Sequence, residues 1–263
     1  MNIIDFENVN VSYNEKIVLK DINLKIKQNE HIAILGANGS GKSTLLKVIQ
    51  SELHPRRVDG LKKEILGQSR YSIFELKKKI GIISNDLHIY FSNNAPYLKG
   101  YEVILSGFYA SIGIFKYQDF TNKEHQKALE VMEFLKISHL KDKKINTMST
   151  GELRKCIVAR ALIHDPKAFI LDEPTVGLDI KAQIDFIKML RKLCKKSTII
   201  LVTHHLEEIF QEINNIALIC ENTIYKKGLK KDILTNQNLS YTFNSDLKVD
   251  VKNNRYFIKE IIK

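Results

Sequence analysis

Gly36-Ala37-Asn38-Gly39-Ser40-Gly41-Lys42-Ser43 carries the spacing G-x-x-x-x-G-K-[ST]. Glycines so placed let successive backbone N–H groups point inward around phosphate oxygens. Lys42 is placed to reach the β- and γ-phosphates, Ser43 to put its hydroxyl on Mg²⁺, and the following helix to add its dipole. A chance glycine-rich turn is the alternative. The apolar HIAIL before the loop and the helix-like TLLKVIQSEL after it are the context that a phosphate loop requires. Gly36, Asn38, Gly39, Ser40, Gly41, Lys42, Ser43 and Thr44 are therefore the nucleotide-binding candidates. Kinases, GTPases and motors all share such a loop. The N/T-K-x-D guanine motif of GTPases does not occur in the chain.

A second group of residues sits at strand ends. AFILDEPT, 168–175, reads as a buried strand running into two acids. Asp172 can hold Mg²⁺ through water, and Glu173 can polarise an attacking water as general base. Beside a phosphate loop this outweighs the reading of surface acids after a strand. TIILVTHH, 198–205, is another apolar strand, ending in histidines, of which His204 is the candidate to contact a γ-phosphate. Ser149-x-x-Glu152, within MSTGE, is a capping box before LRKCIVARAL. It is a plain helix start, or, with the Ser hydroxyl and Gly151 N–H, an anion site.

The elements that must position these residues follow from periodicity. Residues 3–27 alternate apolar and polar, with a turn at Asn14–Glu15. Residues 55–79 are charged, with turn signals at Asp59-Gly60 and Gly67. IGIISNDLHIYF, 80–91, reads as a short strand leaving into a polar loop at Ser84-Asn85-Asp86. Residues 92–148 read mostly as helix. There Thr121-x-x-Glu124 is a capping box ahead of an apolar face of Ala128, Leu129, Met132 and Leu135. Helix and strand then alternate: a helix through Ile163, the strand AFILD, a helix from Ile180 to Cys194, the strand TIILVT and a helix from Leu206. LKVDVKNNRYFIKEI reads as a hairpin turning at Asn253-Asn254. The expected fold is α/β: a P-loop core with an antiparallel β subdomain and an inserted helical subdomain at about 92–165. Residues 1–235 form that domain and 236–263 a small hairpin appendage.

At 263 residues, 44% hydrophobic and 27% charged, the chain can bury a core without disulfides. Cys156, Cys194 and Cys220 lack zinc spacing and suit a reducing compartment. The net charge of +11 is spread over short lysine clusters without interleaved aromatics, so nucleic acid is not indicated and a solvated surface is expected. No signal peptide and no apolar run of about 18 residues is present. The expected location is cytoplasmic or peripheral on the cytoplasmic face of a membrane, with any spans supplied by other chains.

In sequence the chain resembles the ATP-binding cassette (ABC) ATPases over residues 1–235. The elements stand in the family order: phosphate loop GANGSGKST, signature MSTGE, strand FILDE, D-loop VGLD (176–179) and switch TH (203–204). ILSGFYASIGIF (104–115), THHLEEI (203–209) and the hairpin tail are similar to the molybdate-transport-like ATP-binding proteins. The resemblance implies a head-to-tail homodimer around two ATP, each held between one protomer's phosphate loop and the other's signature helix. It implies that Ser149 and Gly151 touch the γ-phosphate of the partner's ATP, that Asp179 lines the interface, and that Tyr13 stacks on adenine. Tyr13 reads equally as an ordinary strand aromatic. Met148, Thr150 and Glu152 depart from the usual L-S-G-G-Q. In the family a Gln ends the strand matching Ile80–Ile83, helps hold Mg²⁺ and the attacking water, and links the core to the helical subdomain. Asn85, one methylene shorter, takes that place, with Asp86 beside it. The implied function is ATP hydrolysis by the ATP-binding subunit of an ABC transporter with separate transmembrane permease subunits. The alternative is a soluble cassette acting on nucleic acid, the ribosome or another protein.

Overall fold

The computed structural model describes residues 1–14 and 16–261, the last by its backbone. The chain divides into two compact units: Met1–Ile73 with Thr198–Lys263, and Phe74–Ser197.

The first unit opens with β1 (Asn2–Tyr13) and β2 (Lys16–Lys27), an antiparallel pair. Asn14 takes a left-handed φ of 43° at the turn, and Glu15 lies outside the described residues. Then come β3 (Ile32–Leu35), α1 (Lys42–Ile49) and β4 (Lys62–Ile65). β4 falls in the stretch read as charged turns. It forms because β1 supplies a partner, with Ile4 opposite Ile65 and Asp5 opposite Glu64. Asp5 is buried there, and its Oδ2 accepts from Lys62 Nζ at 2.9 Å and Asn2 Nδ2 at 2.8 Å.

The second unit runs α2 (Ile73–Lys79), β5 (Ile80–Ser84), α3 (Asn85–Asn94), α4 (Gly100–Leu105), α5 (Asn122–Phe134), α6 (Thr150–Leu162), β6 (Ala168–Asp172) and α7 (Ile180–Leu193). β5 and β6 pair in parallel from Ile80↔Ala168 to Ser84↔Asp172, so the two strands end level. The polar loop expected after β5 is instead the first turn of α3. Ser84 caps it, its Oγ accepting from Leu87 N at 3.2 Å. On α5, Ala128, Val131 and Met132 face inward, whereas Leu129 is exposed and is not part of the core face.

The chain then returns to the first unit with β7 (Thr198–Thr203), β8 (Asn215–Cys220), β9 (Thr223–Leu229), α8 (Lys230–Ile233), α9 (Asn236–Phe243), β10 (Leu247–Lys252) and β11 (Arg255–Ile261). β3 lies between β7 and β8, parallel to both, and β9 closes antiparallel on β8. Ile32, Ala33, Ile34 and Leu35 are all fully buried. Each large apolar side chain so placed contributes about 1.5–3 kcal/mol. The helix expected from Leu206 is only a 3-10 turn, Leu206–Glu208. Leu206, Ile209, Phe210 and Ile213 are buried at helical spacing. The segment runs from that turn to β8, which begins at Asn215. The β10–β11 hairpin turns at Asn253 and Asn254, with φ of 53° and 59°, as its sequence predicts. α9 has no counterpart among the sequence expectations.

Candidate nucleotide site

In the first unit the phosphate loop leaves the end of β3. Backbone crowding fixes its first residue: a Cβ on Gly36 would stand 2.3 Å from Ile219 O. Lys42, only 7% exposed, folds back into the loop and donates from Nζ to Gly36 O and Ala37 O, each at 2.8 Å. Ser40 Oγ is buried without a hydrogen-bond partner. Gly41, with φ of 105°, precedes α1 and gives it no side-chain cap, and the first turn carries no acid. A buried cation, an orphaned hydroxyl and uncapped helix N–H groups are the donor set that a polyphosphate fits.

Asn38, Gly39 and Ser43 are exposed along the loop, while Thr44 is buried behind it. His204 follows β7, its ring centroid 3.9 Å from that of His205. Tyr13 ends β1 opposite Lys16 and is 42% exposed.

In the second unit the level ends of β5 and β6 bring Asn85, Asp172 and Glu173 to one edge. Glu173 takes φ of 45°, the left-handed region that a side chain rarely adopts. A residue absent from the sequence reading organises this edge. Arg154 of α6 is 2% exposed, and it donates from Nη2 to Asn85 Oδ1 at 3.0 Å and from Nη1 to Pro174 O. Nothing in the pattern LRKCIVARAL marks it as buried. Half-buried His88, one turn along α3 from Asn85, is held below the usual imidazole pKa by burial and then by the charge of Arg154. Asp86 is exposed.

The signature residues lie at the start of α6. Ser149 is its N-cap, with Oγ accepting from Glu152 N at 3.2 Å and its own N–H donating to Glu152 Oε2 at 2.8 Å. Lys143 Nζ donates to both carboxylate oxygens of Glu152 at 2.8 Å. Burial pushes the Glu152 pKa up, but the bonds from Lys143 and Ser149 outweigh it and leave the group below its ordinary value. Gly151 faces the start of α7, where a Cβ would meet Ala182 Cβ at 3.5 Å. Asp179 caps α7, with Oδ1 accepting from Ala182 N at 2.7 Å. Ala182 therefore adjoins both Gly151 and Asp179.

Among the described residues no group of three or more His, Cys, Asp and Glu could hold a metal ion. A metal here would need hydroxyl, water and phosphate oxygens beside a carboxylate, which is the donor set of Mg²⁺. None of the three cysteines is joined in a disulfide, and burial pushes the Cys156 thiol up to about 12. No helix among the described residues is long and apolar enough to cross a membrane.

A phosphate loop between a parallel strand and a helix, in a mixed α/β chain with an antiparallel β subdomain, defines a P-loop nucleotide-binding protein. The family described as ABC transporter matches residues 19–176. The uncharacterized ABC transporter ATP-binding protein YlmA of Bacillus subtilis (strain 168) is 33% identical, over 97% of this chain and 96% of its own. Among solved structures, cbiO1 from Clostridium perfringens, part of the ABC transporter complex cbiONQ, superposes with a TM-score of 0.75 at 29% identity. It covers 90% of this chain and 92% of that one. The dimeric post-hydrolysis state of the cassette MJ0796, bound to ADP and Pi, has a TM-score of 0.67 at 26% identity. It covers 86% of this chain and 98% of that one. The chain belongs to the ABC transporter family and is an ATP-binding cassette of that family.

Proposed function

We propose that the chain hydrolyses ATP to ADP and phosphate as the ATP-binding subunit of an ABC transporter, working as a homodimer with separate transmembrane chains. The observation that carries this is the phosphate loop, whose buried Lys42 and unpartnered Ser40 hydroxyl are preorganised for an anion. Gly36, Asn38, Gly39, Gly41 and Thr44 complete the cradle, and Tyr13 offers a face to adenine. Ser43 and Asp172 would hold Mg²⁺, which when bound would neutralise phosphate charge. Glu173 polarises the attacking water, and His204 donates to the γ-phosphate as negative charge gathers there. Ser149 and Gly151 present a hydroxyl and an N–H to the partner's ATP, with Asp179 beside them in the dimer. Residues 1–235 act as the cassette and 236–263 as an appendage.

The homodimer reading draws on the dimeric MJ0796 cassette, and the permease reading on the cbiONQ complex. Closure on ATP and reopening after hydrolysis follow from gain and loss of the γ-phosphate charge. Glu173→Gln keeps the size and polarity of the side chain but removes the base. It should bind ATP, stop turning over, and accumulate an ATP-bound dimer in size-exclusion chromatography. Full turnover by that variant would end the assignment of Glu173. Co-purification of a membrane protein from detergent-solubilised membranes tests the transporter role; a strictly soluble eluate favours the soluble cassette.

A further inference from the structure

We propose that Arg154 is a positioning residue for hydrolysis: its guanidinium clamps Asn85 to the Pro174 carbonyl and so fixes the backbone that aims Glu173. The inference rests on Glu173 being the general base.

Three observations converge on Arg154. It is the one arginine of α6 buried to 2%. Burying a guanidinium costs several kcal/mol unless it is paired, so packing alone would favour an apolar side chain at this place. Its fork reaches two separate elements, with Asn85 Oδ1 at the start of α3 at 3.0 Å and Pro174 O just past β6. Between those anchors stands Glu173 in the left-handed region, with φ of 45°. A side chain in that region persists only where its surroundings over-determine it. Here the restraints bracket it. Ahead of Glu173, Asp172 is locked in the β5–β6 register opposite Ser84. After it, the carbonyl of Pro174 is held by Arg154 and the proline ring fixes its own φ. Asn85 completes the clamp from the other strand end. Its amide oxygen is engaged by the guanidinium, so Asn85 serves as an anchor for Arg154. A lysine could not replace the arginine, because one ammonium cannot present a planar fork to two acceptors on different elements.

The test is Arg154→Met in the full chain, measured for ATPase kinetics, ATP affinity and dimer trapping. Misaiming a catalytic group by about 1 Å costs about 100-fold. We expect kcat to fall by about that factor while ATP affinity, set by the phosphate loop, is retained. The variant should then accumulate an ATP-bound dimer, as Glu173→Gln does; a merely destabilised protein would lose ATP binding and would not be trapped. Arg154→Lys should behave like Arg154→Met. Wild-type kcat and no trapped dimer from a folded Arg154→Met, with Glu173→Gln trapping normally, overturns the proposal and leaves the function standing. Failure of Glu173→Gln to trap removes the function reading itself. If Arg154→Met does not fold, Asn85→Ala decides. We expect a lower kcat with the Mg²⁺ concentration dependence unchanged. A shifted Mg²⁺ dependence, or an unchanged kcat, overturns the anchor role.

Discussion

The starts of α5 and α6 are closed by one device and built for different ends. Thr121 N donates to Glu124 Oε2 at 2.8 Å, and Thr121 Oγ1 accepts from Glu124 N at 3.3 Å. Ser149 and Glu152 repeat those bonds at 2.8 and 3.2 Å. The difference lies at the second helical position. In α5 it is Lys123, a cation set against the positive end of the helix dipole. In α6 it is Gly151, which carries no side chain where the first turn faces the start of α7. The acid differs as well. Glu152 is gripped through both oxygens by Lys143, which leaves Ser149 as the polar group at the tip. A capping box is thus a local instruction to begin a helix. An anion site needs, beyond that, a missing side chain and a neutralised acid.

The comparison breaks most sharply at its second position. Gly151→Asp puts a carboxylate where the proposal puts the partner's γ-phosphate. It should lower kcat/KM for ATP by about 100-fold or more, the scale for losing a preorganised anion contact. Lys123→Asp changes the same position of α5 in the same way. It should leave ATPase activity unchanged and raise stability by about 0.3–1 kcal/mol through the helix dipole. Equal losses of activity from the two variants would mean that α6 is no more a site than α5.

A smaller effect separates the two caps themselves. Thr121→Ala and Ser149→Ala should each cost about 1 kcal/mol in denaturant unfolding, since each removes one N-cap acceptor. Only Ser149→Ala should also reduce kcat/KM, by about tenfold, the worth of a hydrogen bond to a charged group. A stability loss without any kinetic loss would reduce Ser149 to a helix cap.

Both boxes were legible in the sequence because they are local, as were the phosphate loop between β3 and α1, the strands AFILD and TIILVT, and the Asn253-Asn254 turn. What stayed hidden depends on partners distant in the chain. β4 exists because β1 pairs with it. Leu206, Ile209, Phe210 and Ile213 carry helical spacing, yet the segment makes only a 3-10 turn before β8. Asn85 reads as a loop residue because Ser84-Asn85-Asp86 is a polar run after a strand, whereas Ser84 both ends β5 and caps α3. Arg154 was the least visible, for no rule of amphipathicity buries an arginine. Its place is set by Asn85 and by Pro174, which are remote from it in sequence and reach it only through the β5–β6 register.

The finest distinction between the two starts is the lysine behind Glu152. Lys143 and the Ser149 N–H hold the Glu152 carboxylate below its ordinary pKa of 4.5 in the folded state, against the opposing effect of burial. A carboxylate whose pKa is lowered on folding adds stability that is fully present above its unfolded value and is lost as pH falls through the folded one. Replacing Lys143 with Met removes the main group that favours the charged form. Stability at pH 7 should fall by about 0.5–1 kcal/mol, as expected for a partly exposed pair. The gap to the wild type should shrink below pH 4.5 as Glu152 protonates in both proteins. Urea unfolding at pH 7 and at pH 3 measures this directly. The same measurement on Lys123→Met provides the contrast, since Lys123 stands at the dipole's positive end and its loss should not destabilise α5. A pH-independent deficit in Lys143→Met would mean that Lys143 acts through its packing alone, and that the charge on Glu152 plays no part in how α6 begins.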